Sequence, residues 1–120
     1  MQMASRSVTV TFTNNTSQAL VLANAALQGG TWSQNMYPPS QINPGQKVTW
    51  ESESNGFATG TQGTVTYNVQ NGAGQAMMSW NDPFSGSNAY TQSATGPYRI
   101  SPPSGGDGNN ANVAFTLSPA

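Results

Sequence analysis

The chain has no cysteine and no histidine in its 120 residues. Without cysteine no disulfide can brace the fold, and the sequence carries no redox clue to compartment. Without either residue, Ser-His-Asp triads, Cys-His pairs, imidazole acid-base chemistry and Cys/His zinc sites are all excluded. Charge is almost as scarce: three Lys or Arg against four Asp or Glu, 6% of the chain and a net charge of −1, where about 25% is usual. Three cations cannot neutralise a phosphate backbone or grip an anionic bilayer, so nucleic acid is excluded as a partner, and membrane recognition would have to use aromatic, amide and hydroxyl groups. No window approaches the roughly 20 apolar residues of a membrane helix. Met1 to Ser7 lacks the apolar core of a secretory signal, and the expectation is synthesis in the cytoplasm without an export signal.

Uncharged polar groups fill the space that charge leaves. Ser, Thr, Asn and Gln number 14, 13, 13 and 10, types that favour turns and strands over helix interiors. A neutral polar surface repels its own copies weakly, which suits dense packing into inclusions.

The apolar residues alternate. Val8, Val10 and Phe12 interleave with Thr9, Thr11 and Thr13, the period of a strand with one buried face. After the turn chemistry of Asn14-Asn15-Thr16-Ser17, Ala19 to Leu22 reads as a second strand paired with the first in a hairpin, and Asn24 to Leu27 as a turn before Gly29-Gly30. Pro38-Pro39 and Asn43-Pro44-Gly45 make Trp32 to Pro44 a surface loop. Val48 and Trp50 share a strand face, as do Val65, Tyr67 and Val69. Asn71-Gly72 then joins that strand to Gln75–Trp80 in the clearest hairpin of the chain. Asn81 to Asn88 is a loop, Ala89 to Thr91 and Tyr98 to Ile100 are short runs, Ser101 to Asn110 is a hairpin loop, and Val113, Phe115 and Leu117 mark a closing strand. Seven or eight short strands between Gly, Pro and Asn turns predict an all-β, single-domain antiparallel β-sandwich or barrel over 1–120.

Little of this sequence can do chemistry. Glu51 and Glu53 lie two apart on one strand, a spacing of about 6 to 7 Å that could imitate a glycosidase pair; the reading preferred is two exposed acids that keep a strand soluble. Asp82 and Asp107 sit in Asn- and Gly-rich loops without the several carboxylates of a calcium site, and turn formation accounts for them. No metal, cofactor or catalytic residue is expected, and the chain reads as a binding protein, not an enzyme. The aromatic residues are more informative. Trp50, Tyr67 and Phe115 fall on apolar strand faces and belong to the core. Trp32, Tyr37, Phe57, Phe84 and Tyr90 lie in or beside polar loops, where they either pin the loops or form an amphipathic patch suited to a bilayer headgroup boundary. Met77 and Met78 point to opposite faces, one in the core and one outward.

Three segments carry a resemblance: Glu53-Ser54-Asn55-Gly56-Phe57, then Thr59-Gly60-Thr61-Gln62-Gly63-Thr64, then Asn81-Asp82-Pro83-Phe84-Ser85-Gly86-Ser87-Asn88 with Tyr90. In this order and spacing the chain resembles the aegerolysin family, and within it the small components of bacterial binary crystal toxins active against corn rootworm. The resemblance covers nearly the whole chain. It implies an aegerolysin β-sandwich, oral toxicity to insect larvae, and action outside the producing bacterium on midgut membranes through a lipid or a receptor. It also implies permeabilisation alone or with a larger toxin partner, and homo-oligomerisation is compatible with it. Trp32, Tyr37, Phe57, Trp80, Phe84 and Tyr90 become candidate membrane or partner contacts, and Thr59, Gly60, Asp82, Pro83, Ser87 and Asn88 carry weight as motif positions. Trp80 and Pro102-Pro103 depart from the family pattern, as does the uncharged end Leu117-Ser118-Pro119-Ala120. Two other readings stay open: a lipid- or glycan-binding module without toxicity, and a self-assembling structural or spore-surface protein.

Overall fold

The computed structural model describes residues 4–120, so Met1 to Met3, part of the opening read above, lie outside the described residues. Two sheets face each other. The larger is built on β1 (Ser7–Asn14), whose burial alternates residue by residue because its Thr and Val-Phe positions point to opposite sides. β1 pairs antiparallel with β5 (Lys47–Glu53) and parallel with β11 (Asn110–Pro119), so the first and last strands lie side by side in the middle of the sheet. Short strands finish its edges: β3 (Thr31–Trp32) beside β5, and β9 (Tyr98–Ile100) and β10 (Ser104–Gly105) beside β11. The second sheet runs in the order β4 (Gln41–Ile42), β2 (Leu20–Gly29), β6 (Thr61–Val69), β7 (Gln75–Asp82), β8 (Ala89–Ala94), all antiparallel.

Two sequence expectations are corrected. The opening segments do not form a hairpin: β1 and β2 belong to different sheets, and the turn between them carries the chain across the sandwich. Alternation marks a strand but says nothing of its partner. Asn24 to Leu27 is not a turn either. β2 continues through it to Gly29, with register irregularities at Leu22/Asn24 and Leu27/Gly29 that break the period of two. The segment Trp32 to Pro44 is mostly loop, yet it ends β3 and supplies all of β4, which buries Ile42 completely. The β6–β7 hairpin stands as read, and Met78 is buried where Met77 is half-buried.

The core is aromatic at its centre. Phe12, Trp50 and Tyr67 lie with ring centroids 6.0–6.2 Å apart, and Trp80 joins Trp50 at 6.5 Å. Val8, Val10, Val65, Val113, Phe115 and Leu117 complete it from both sheets. Trp80 donates its indole N–H to Ser52 Oγ at 2.8 Å, and Ser52 exchanges a hydrogen bond with Thr61 Oγ1 at 2.7 Å, so a small buried polar chain links the sheets. Gly63 makes room for that indole: a Cβ there would stand 2.6 Å from both Trp80 Cζ2 and Leu27 Cδ2.

Candidate functional site

At one end of the sandwich the β5–β6 loop (54–60), the β7–β8 loop (83–88) and the residues leading into β1 come together. The first loop is a tight hydroxyl-braced turn. Thr59 Oγ1 donates to Gly56 O at 2.8 Å and accepts from Gly56 N–H at 3.1 Å. Ala58 takes φ +55°, left-handed backbone that an L-residue adopts at some cost. The brace leaves Phe57 projecting, 99% exposed. Gly60 allows the two loops to lie against each other, since a Cβ there would sit 2.4 Å from Asp82 O and 2.7 Å from Pro83 Cα.

The second loop is held by Arg6. Its Nε donates to Pro83 O at 3.2 Å and its Nη2 to Phe84 O at 2.5 Å, while the guanidinium lies 4.6 Å from the Phe84 ring centroid. Phe84 remains 43% exposed. Beneath it, Asp82 is the last residue of β7 and is buried, with Arg6 Nε 4.0 Å from Oδ1 and no hydrogen-bond partner for Oδ2 among the described residues. Burial pushes its carboxyl up to about 6, against the lowering pull of Arg6 and of the Ser7 N–H. Asp82 is therefore an anchor between sheets and not the open turn-former its surroundings in the sequence suggest.

A third loop is drawn in from the other side. Asn88 Nδ2 donates to Gly106 O and Gly108 O at 2.9 and 2.8 Å, and the Tyr90 hydroxyl donates to Gly106 O at 2.7 Å. Burial raises the Tyr90 phenol above its ordinary value, so it stays a neutral donor at physiological pH. Along the first two loops lies a groove of about 480 Å³ whose walls include Ser5, Glu53, Ser54, Asn55, Phe57 and Phe84. A second depression of about 530 Å³ runs along Gly30, Thr59, Gln62, Asn81 and Ser85 and shares Asn55, Ala58 and Phe84 with the first. Both are lined by polar groups and by Phe84.

The candidate residues thus divide by position. Phe57 and Phe84 share the groove, with Thr59, Gly60 and Pro83 shaping the loops that carry them. Tyr90 and Asn88 are half-buried braces for the Gly106 loop, and Ser87 is exposed. Trp32 and Tyr37 form a separate pair at the β3 edge, edge-to-face at 5.2 Å, with Tyr37 exposed and Trp32 packed 5.9 Å from Trp80. Trp80 itself is corrected: at 1% exposure its indole belongs to the core and cannot touch a membrane or a partner. Its parity with Ala76 and Met78 on β7 was the sequence signal for this. The reading from sequence missed Arg6, which bridges β1 to the Phe84 loop. The only signal was that it is one of three cations in the chain. Glu51 and Glu53 are each engaged by a separate hydroxyl, Thr9 Oγ1 and Ser33 Oγ, both at 2.5 Å.

The solved crystal structure of the lipid-binding protein Nakanori has the same fold: TM-score 0.82 at 16% sequence identity, over 97% of this chain and 72% of that one. An uncharacterized protein of Dictyostelium discoideum is 30% identical over 119 residues, 98% of this chain, and the chain spans 10% of that protein's length. The model of the Aegerolysin family matches residues 5–117. The chain belongs to the aegerolysin family.

Proposed function

We propose that this chain binds the surface of a lipid bilayer through the loop end of the sandwich, with Phe57 and Phe84 entering the headgroup boundary and the polar groove they line receiving headgroup atoms. The observation that carries the reading is Phe57, a phenylalanine at 99% exposure on a turn braced to keep it there. A soluble fold gains nothing from such a placement, whereas an amphipathic surface does. The family, and the likeness of fold to a protein described as lipid-binding, support it.

The finer reading is that the chain is a component of a membrane-active insecticidal toxin, acting on midgut membranes from outside the cell, alone or with a larger toxin protein. The resemblance in the 53–64 and 81–90 segments supports this. The chain would then be the docking component, meeting the membrane with the aromatic and polar groups of its loop end.

Flotation with vesicles of insect midgut lipid, together with dye release by the chain alone and with a candidate larger toxin, tests both levels. Binding without release by the chain alone, and release with the partner, is the expected result. Release by the chain alone would assign the permeabilising step to it. Absence of vesicle binding under all conditions refutes the proposal.

A further inference from the structure

The sheets of this protein have several edges, and all but one are blunted. β3, β4 and β10 are two residues long and β9 is three. β4 sits between Pro38-Pro39 and Pro44, and β9 and β10 are flanked by Pro97 and Pro102-Pro103, with Arg99 in β9. Beyond β3, the chain covers the side of β5 itself: Ser33 N–H donates to Glu51 O at 2.9 Å and Glu51 N–H to Met36 O at 3.0 Å. Short strands, prolines and charges are the devices by which sheet proteins prevent edge-to-edge pairing.

β8 has none of them. Its six residues, Ala89-Tyr90-Thr91-Gln92-Ser93-Ala94, contain no charge, no proline and no glycine, and among the described residues it pairs with β7 alone. The Thr95 N–H donates to Gln75 O at 2.9 Å, which with the Ala76↔Ala94 register assigns the bonds to β7 to the odd-numbered residues. The backbone N–H and C=O groups of Tyr90, Gln92 and Ala94 therefore face outward as an open ladder.

We infer that β8 is a self-association edge, on which the β8 strand of a second copy adds antiparallel about a two-fold axis at Gln92. Side-chain parity selects this register. Tyr90, Gln92 and Ala94 are half-buried on the inner side, while Ala89, Thr91 and Ser93 are exposed. An axis normal to the sheet preserves those faces only when even residues meet even ones: Tyr90 against Ala94, Gln92 against Gln92. The six outward ladder bonds are then all made, and the two five-stranded sheets join into one of ten strands. Charge selects the occupant. A two-fold axis sets the strand against itself, so a charge at position 92 would face its own copy and one at 91 or 93 would lie diagonally across from it. β8 carries none, and among the strands of the five-stranded sheet the one Asp, Glu, Lys or Arg is the buried Asp82 at its end. A partner strand selected by charge would find nothing here to recognise, and the net charge of −1 leaves little repulsion between copies. Antiparallel addition also points the two Phe57 ends in opposite directions.

The same register makes Thr91 and Ser93 of the two copies a non-hydrogen-bonded pair, with Cα atoms about 4.5 Å apart, inside the disulfide range of roughly 4.4–6.8 Å. The natural chain has no cysteine, so the test has no background. A mixture of the Thr91→Cys and Ser93→Cys proteins under mild oxidation should give a dimer linked 91 to 93, identified by mass spectrometry. Wild type in sedimentation velocity from micromolar to millimolar concentration should shift from monomer to dimer. Thr91→Lys, an exposed substitution, should remain monomeric with an unchanged circular dichroism spectrum, and Thr91→Val should still dimerise. A wild type that stays monomeric throughout overturns the inference and leaves β8 to a strand of another protein. A dimer insensitive to Thr91→Lys, or one that forms no 91–93 link, pairs through another surface and overturns it equally.

Discussion

Replacing Phe57 by serine separates binding from stability more cleanly than any other single change in this protein. The ring is 99% exposed, so its removal takes nothing from the core, and the folding free energy should stay within about 0.5 kcal/mol of wild type. Binding is different. Full burial of a phenylalanine stabilises by about 1.5–3 kcal/mol relative to exposure, and at 1.4 kcal/mol per factor of ten the vesicle partition coefficient should fall by about 10- to 150-fold. Phe84, already 57% shielded by its neighbours, has less surface left to transfer. The assay is vesicle flotation over a lipid titration, with a thermal melt of the same samples. The drop should persist at high salt, because the cation at this end, Arg6, is committed to the Pro83 and Phe84 carbonyls and the Phe84 ring and is a poor electrostatic anchor for lipid. Unchanged partitioning of Phe57→Ser at equal stability would refute the proposed docking end.

Two further predictions concern how that end is held. Asp82 has its carboxyl raised to about 6 from an ordinary 3.8, so the folded protein binds a proton that the unfolded chain releases, and stability falls as pH rises from about 4 through 6, by about 3 kcal/mol in total. Asp82→Asn should flatten this segment of a stability profile measured by urea melts between pH 4 and 8; an unaltered slope would place the titration elsewhere. Gly60→Ala would drive a Cβ into Asp82 O and Pro83 Cα, forcing the two loops apart. It should lower stability by about 1–3 kcal/mol in the same melts and weaken vesicle binding with it.

Strand formation was largely written in local pattern. Val8-Val10-Phe12, Val65-Tyr67-Val69 and Val113-Phe115-Leu117 alternate with polar or small residues, and each lies with its apolar set buried. Asn71-Gly72 marked the β6–β7 hairpin because that turn is chemically demanding. The near absence of charge, and the lack of histidine and cysteine, bound the chemistry without any knowledge of the fold.

Pairing was decided only in three dimensions. Nothing local distinguishes a hairpin partner from a strand in the opposite sheet, so β1 lies between β5 and β11 through contacts 34–46 and 103 residues away in the chain. β2 hid its length behind register irregularities. The site was divided in the same way. The sequence contained Phe57 and Phe84 as loop aromatics, but whether such a ring is a surface or a prop depends on what packs around it. Tertiary packing sank Trp80 between the sheets, turned Tyr90 toward Gly106, and brought Arg6 across 77 residues of chain to hold the Phe84 loop. A residue's tendency to be in a strand or a turn is settled among its neighbours in sequence. Its exposure, and hence its capacity to touch a membrane, is settled by neighbours that only the fold brings near.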